Sequence, residues 1–103
     1  MHEYYLKVDK VSVTVIFTRV WPDDDGPVKG PITFAYVQFG KDVTHRLVGQ
    51  ATMNPHDNFD ELIGFKKALL QALQSNPFNG PYLVITKVMA AFVQNYKRLN
   101  RID

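Results

Sequence analysis

The stretch from Asp57 to Gln74 limits the fold more than any other part of the chain. It reads as one amphipathic helix between two breakers, Asn54-Pro55 before it and Ser75-Asn76-Pro77 after it. Asn58 is placed to cap it and Glu61 to complete a capping box, while Asp57, Asp60 and Glu61 suit the positive end of the helix dipole. At about 100° per residue, Phe59, Leu62, Ile63, Phe65, Ala68, Leu69, Leu70, Ala72 and Leu73 cover an arc of roughly 220°. One sheet needs a narrower stripe than that, so the helix calls for a second cover. Gly64 falls outside the arc, beside Asp60, Lys67 and Gln71. Glycine inside a helix costs about 1 kcal/mol against alanine, so its presence suggests a close approach there. Asp60, Gly64, Lys67 and Gln71 are therefore the candidate partner-binding patch of this helix.

What precedes the helix has strand composition. Residues 4 to 20 are rich in Val, Ile, Thr, Tyr and Phe. Tyr4, Leu6 and Val8 share one parity, and Val11, Val13, Val15 and Phe17 the other, with Asp9-Lys10 at the switch. A two-residue turn or a bulge would each bring all of them to one sheet face. Asp-Lys lacks the glycine that favours the turn, so both remain open. Residues 21 to 31 hold three prolines and two glycines and form a loop. Ile32–Phe39 and Thr44–Met53 are two further strands around Gly40-Lys41-Asp42, a hairpin loop. Ile32, Phe34 and Tyr36 face one way and Ala35, Val37 and Phe39 the other, which predicts a central strand covered on at least part of both sides. Alternation from Thr44 to Met53 is half polar, nearer an edge strand.

After the break at 76–81 the start is ambiguous, since residues 82–86 suit a strand or a helix. From Ile85 the stripe Ile85, Val88, Met89, Phe92, Tyr96 and Leu99 is helical and runs to about Asn100. That stripe can cover what the first helix leaves over. The expected fold is a single α+β domain over residues 1–103. It has a small antiparallel sheet of three or four strands followed by two helices packed on one face.

Composition narrows the function classes. With 46% hydrophobic and 13% aromatic residues the chain can build a core, which excludes disorder. No cysteine is present, so a disulfide scaffold and a thiolate metal site are excluded. No signal peptide or apolar membrane span is visible, and a cytoplasmic location is the expectation. A formal charge of +2 demands no polyanionic partner and does not suit a DNA mimic.

No constellation points to catalysis. His2, His45 and His56 form no i, i+4 pair and read as surface or turn histidines. Asp23-Asp24-Asp25 lacks the alternating ligands and the glycine of a calcium loop. Ser12 and Ser75 have no nucleophile elbow, and Gly26-Pro27-Val28-Lys29-Gly30 carries prolines among the residues of a would-be phosphate loop. No catalytic residue, cofactor or metal is assigned. One basic arrangement remains. Lys87, Lys97, Arg98 and Arg101 on the last helix are the candidate nucleic-acid-binding residues, weighed against a solvated face with cations at a helix C-terminus.

Gly49-x-Ala51, Pro55-x-Asp57-x-Phe59, Gly64 and Ala68-Leu69-x-x-Ala72-Leu73 together resemble a pattern of small bacteriophage and prophage proteins. In those, a strand with G-x-A leads through a P-x-D-x-F turn into a G-x-x-x-A-L-x-x-A-L helix. That pattern often has basic residues straight after the helix glycine, where this chain has Phe65 before Lys66-Lys67. The resemblance implies phage origin and action in the bacterial cytoplasm, and no reaction. The expected function is that of a non-enzymatic accessory protein that binds a host or phage protein, with inhibition of a host process or defence system as its concrete form. The alternatives are nucleic-acid binding through the last helix, and a self-assembling protein whose copies pair as a homodimer.

Overall fold

The change of phase at Asp9-Lys10 is a hairpin. In the computed structural model, which describes residues 2–21, 30–41, 46–52, 61–75 and 82–100 (side chains from 85 in the last), β1 is His2–Val8 and β2 is Val11–Val20. They run antiparallel with Val8 opposite Val11. Asp9 and Lys10 both have positive φ, 50° and 69°. Two left-handed residues in a two-residue loop make a type I′ turn, whose twist matches that of the strands it joins. Lysine thus sits in a conformation that normally favours glycine.

β3 (Ile32–Phe39) pairs with β2, and β4 (Leu47–Thr52) with β3, all antiparallel in the order β1-β2-β3-β4. β3 is central and β4 an edge, as the alternation in each predicts. Between them Gly40 turns with φ of 60°, and its N–H donates to the Ser12 carbonyl at 2.7 Å. Then come α1 (Glu61–Gln74) and α2 (Tyr82–Leu99). Residues 82–86 are helix. The cap at Asn58 lies outside the described residues.

Both helices cover one face of the sheet, α1 over β3 and β4, and α2 over β1. That face carries Tyr4, Leu6, Val13, Val15, Phe17, Ala35 and Val37, all buried. Phe17 stacks on Phe65 of α1 with centroids 4.1 Å apart, and Phe92 of α2 meets Tyr4 edge-on at 5.2 Å. Each such side chain contributes about 1.5–3 kcal/mol relative to exposure, so this ring cluster holds four elements together.

One expectation is corrected. Gly64 is not on an exposed polar patch: it is buried with Ala68 and Ala72, four residues apart along one side of α1. Those small residues let the helix backbone come down onto the sheet where Gly49 and its cross-strand partner Ala35 leave room. The helix is turned toward its small side chains, so part of its wide apolar arc faces away from the core. Ile63 is 45% and Leu70 37% exposed. On the other face of β3, Ile32, Phe34 and Tyr36 are partly buried, and none of the described helices packs there.

Candidate functional site

That second face of the sheet carries apolar side chains on which no described helix packs. Strand register builds it in rows. Ile16 stands opposite Tyr36, and Tyr36 opposite Val48. In the next row Phe34 lies between Thr18 and Gln50, and beyond it Ile32 between Val20 and Thr52. Val48 is 49% and Val20 47% exposed. Ile16, Ile32, Phe34 and Tyr36 between them are partly exposed. Six apolar side chains thus adjoin one another across three strands.

Polar groups sit at the margin. Tyr5, 69% exposed, donates from its hydroxyl to Glu3, and this bond raises its pKa above the ordinary tyrosine value. Gln38 accepts from Arg46 at 3.2 Å and donates to the Gly40 carbonyl at 3.2 Å. An apolar centre within a hydrogen-bonded polar rim is the anatomy of a protein interface.

Of the residues singled out on the helices, Gly64, Lys67, Gln71, Lys87, Lys97 and Arg98 are described. Lys67 is exposed on α1. Gln71 is engaged within the chain: its side-chain oxygen accepts from the backbone N–H of Gln50 on β4. Asp60 lies outside the described residues. On α2, Lys87 is paired with Asp9 of the hairpin turn at 2.7 Å. Lys97 and Arg98 are exposed, and Arg101 is outside the described residues. The basic stripe therefore has its first member neutralised.

Sequence reasoning missed a polar knot at the other end of the sheet. Glu61, assigned to helix capping, accepts from Arg19 of β2 at 3.3 Å and from Tyr96 of α2 at 3.1 Å. His2 of β1 stands 3.9 Å away. One carboxylate thus joins four elements. Burial raises the pKa of the neighbouring Tyr4, the charge of Glu61 raises it further, and a hydrogen bond with Asn100 opposes both. No local pattern signals this knot, because its members come from four separated segments.

Among the described residues no three His, Asp or Glu side chains converge on a common point. His45, His56 and Asp23 to Asp25 lie outside them. Nor is any described helix long and apolar enough to cross a membrane. Comparison with protein families, with curated proteins and with solved structures finds no match to this chain.

Proposed function

We propose that this protein works without catalysis, by holding another protein against the open face of its sheet. The row Ile16–Tyr36–Val48, with Phe34 beside it, carries this reading. Leaving aromatic and branched side chains in water along three adjacent strands forfeits about 25 cal/mol for each Å² not buried. Strands spaced about 4.8 Å apart make this face roughly 19 Å wide and 20 Å or more long. That footprint of about 380 Å², before side-chain relief, is about half of the roughly 800 Å² per partner of a standard interface and suits a small, transient one. Few charges and several aromatics also suit a protein and not a polyanion.

The resemblance adds a setting. A phage-type accessory protein, acting in the bacterial cytoplasm on a host or phage protein and inhibiting a host process, would need such a face and no active site.

The test uses two baits in a bacterial lysate, the wild-type chain and Tyr36→Glu. Tyr36 points away from the core, so the variant keeps its fold, checked by circular dichroism. A partner retained by the wild type and lost by Tyr36→Glu is the expected result. Equal recovery on both baits, or none on either, counts against the open face as the binding site.

A further inference from the structure

The two edges of the sheet are finished differently. On β4 the outward N–H of Gln50 is taken by the Gln71 side chain of α1. No described group does the same for β1. In a two-residue hairpin the residues flanking the turn exchange both hydrogen bonds, and bonded pairs then alternate along the ladder. Val8–Val11, Leu6–Val13 and Tyr4–Val15 are the bonded pairs. Glu3, Tyr5 and Lys7 therefore turn their N–H and C=O groups away from β2, along the free edge.

A groove of about 430 Å³ runs beside that edge. Tyr5 and Lys7 form its floor, and Ala91, Gln94, Asn95 and Arg98 of α2 form its wall. From Ala91 to Arg98 the wall is about 10 Å long, enough for roughly three extended residues. We propose that this groove takes an extended acidic segment of a partner protein, added to β1 as a fifth strand. The backbone of Tyr5 and Lys7 supplies alternating donors and acceptors, which match a polypeptide and not a phosphate chain. The cationic side chains of the groove are Lys7, toward the open face, and Arg98, toward the helices. Successive residues of an added strand point to opposite faces, so two adjacent carboxylates would meet one cation each. Gln94 and Asn95 add neutral donors beside Arg98.

A second copy of the chain is the rival occupant. Two antiparallel β1 strands centred on Tyr5 would set Glu3 opposite Lys7, a favourable match. However, each copy brings its own α2 over β1. Adjacent strands are about 4.8 Å apart, whereas packed helices need about 8–10 Å between axes. The two α2 helices would collide, and a peptide without a flanking helix would not. This site borders the open sheet face at Tyr5 and Lys7 but uses the backbone edge of β1 and the wall of α2, and it stands whether or not that face binds.

The probe is the capped hexapeptide acetyl-Thr-Val-Glu-Glu-Val-Thr-amide, added to the isotope-labelled full chain and followed by NMR. Shifts at the Tyr5 and Lys7 amides are expected, with exchange slowed about tenfold when roughly nine-tenths of the sites are filled. N-methylation of alternate peptide amides should abolish the effect, and replacing both glutamates by lysine should weaken it. Arg98→Glu should weaken binding about tenfold, while Lys97→Glu, a residue outside the groove, should change it far less. Unmoved Tyr5 and Lys7 amides, equal binding of the N-methylated peptide, or equal loss in Lys97→Glu would overturn the proposal. So would protection of Tyr5 and Lys7 that rises with protein concentration alone, since that assigns the edge to a second copy.

Discussion

Replacing Gly49 by alanine probes the closest helix–sheet contact in the fold. A Cβ built there would lie 2.3 Å from the carbonyl oxygen of Ala68, 2.3 Å from the nitrogen of Ala72 and 2.8 Å from its Cα. All three are backbone atoms, so no rotamer change relieves the clash. Restoring an ordinary approach of about 3.5 Å requires α1 to lift by about 1 Å. Overpacking costs about 1–3 kcal/mol where side chains yield; here a helix backbone must yield, so about 3 kcal/mol is expected. The total stability of such a domain is about 5–15 kcal/mol, so the loss is large. At about 4–8 °C per kcal/mol, Tm should fall by roughly 12–24 °C.

Thermal and urea unfolding measure the loss, with Gly40→Ala as control. Gly40, unlike Gly49, has a positive φ, 60°, and a Cβ there meets nothing within 4 Å. It carries only left-handed strain, about 1–2 kcal/mol. Lifting α1 also draws Gln71 away from Gln50, so the Gln50 amide should exchange faster in Gly49→Ala and not in Gly40→Ala. A Gly49→Ala cost no larger than that of Gly40→Ala would refute the close approach. Rescue by Ala72→Gly would do the same, because the Ala72 side chain is not among the clashing atoms.

Three further perturbations follow from the same geometry. Lys10→Gly should stabilise by about 0.5 kcal/mol, the relief of left-handed strain less the extra backbone entropy of glycine; a lower denaturation midpoint would contradict the type I′ turn. Tyr4 is held protonated by burial and by Glu61, so its folded pKa lies above the unfolded 10.0. The native state then binds the proton more tightly, and stability, complete below that pH, declines as pH rises from 10.0 toward the folded value. Urea unfolding in steps from about pH 9 to about 11 should show this decline, and Tyr4→Phe should lessen it; an equal slope in both would exclude Tyr4 as the cause. Glu61→Ala removes the acceptor of Arg19 and Tyr96 and should cost about 2 kcal/mol, discounted for the partial exposure of the pair. In a double-mutant cycle with Arg19→Ala, strict additivity would show that the two do not interact.

Much of the fold was legible because it is written in local periodicity. Ile32–Phe39 alternates cleanly, and the stripe from Ile85 to Leu99 has helical spacing. The switch of parity at Asp9-Lys10 announced a change in the strand but not its form. Lysine adopts a left-handed conformation only because the Val8–Val11 pairing on either side imposes it. Gly64 was misjudged for a related reason. A wheel ranks residues by their side chains, and a glycine scores as polar although Gly64 is buried on the same side of α1 as Ala68 and Ala72. Two of the helix candidates have partners at long range. Gln71 finds Gln50, 21 positions away, and Lys87 finds Asp9, 78 away, so neither partner is visible in the spacing of its own helix.

The phage-like pattern takes on a different meaning once its residues are placed. Gly49 faces Ala68 and Ala72, and Gly64 is buried along the same side of α1. These residues set how closely one helix rides on one strand, and none of them is open to a partner. A chain can share that packing and present any surface it likes elsewhere. Likeness through these four positions therefore bears on the seating of α1, while Pro55, Asp57 and Phe59 lie outside the described residues; the binding surfaces proposed above use residues the pattern omits. Tyr36 and Phe34 on the open face, and Lys7 and Arg98 beside the free edge of β1, are such residues. Altering them should change binding while leaving the fold, whereas altering Gly49 should do the reverse.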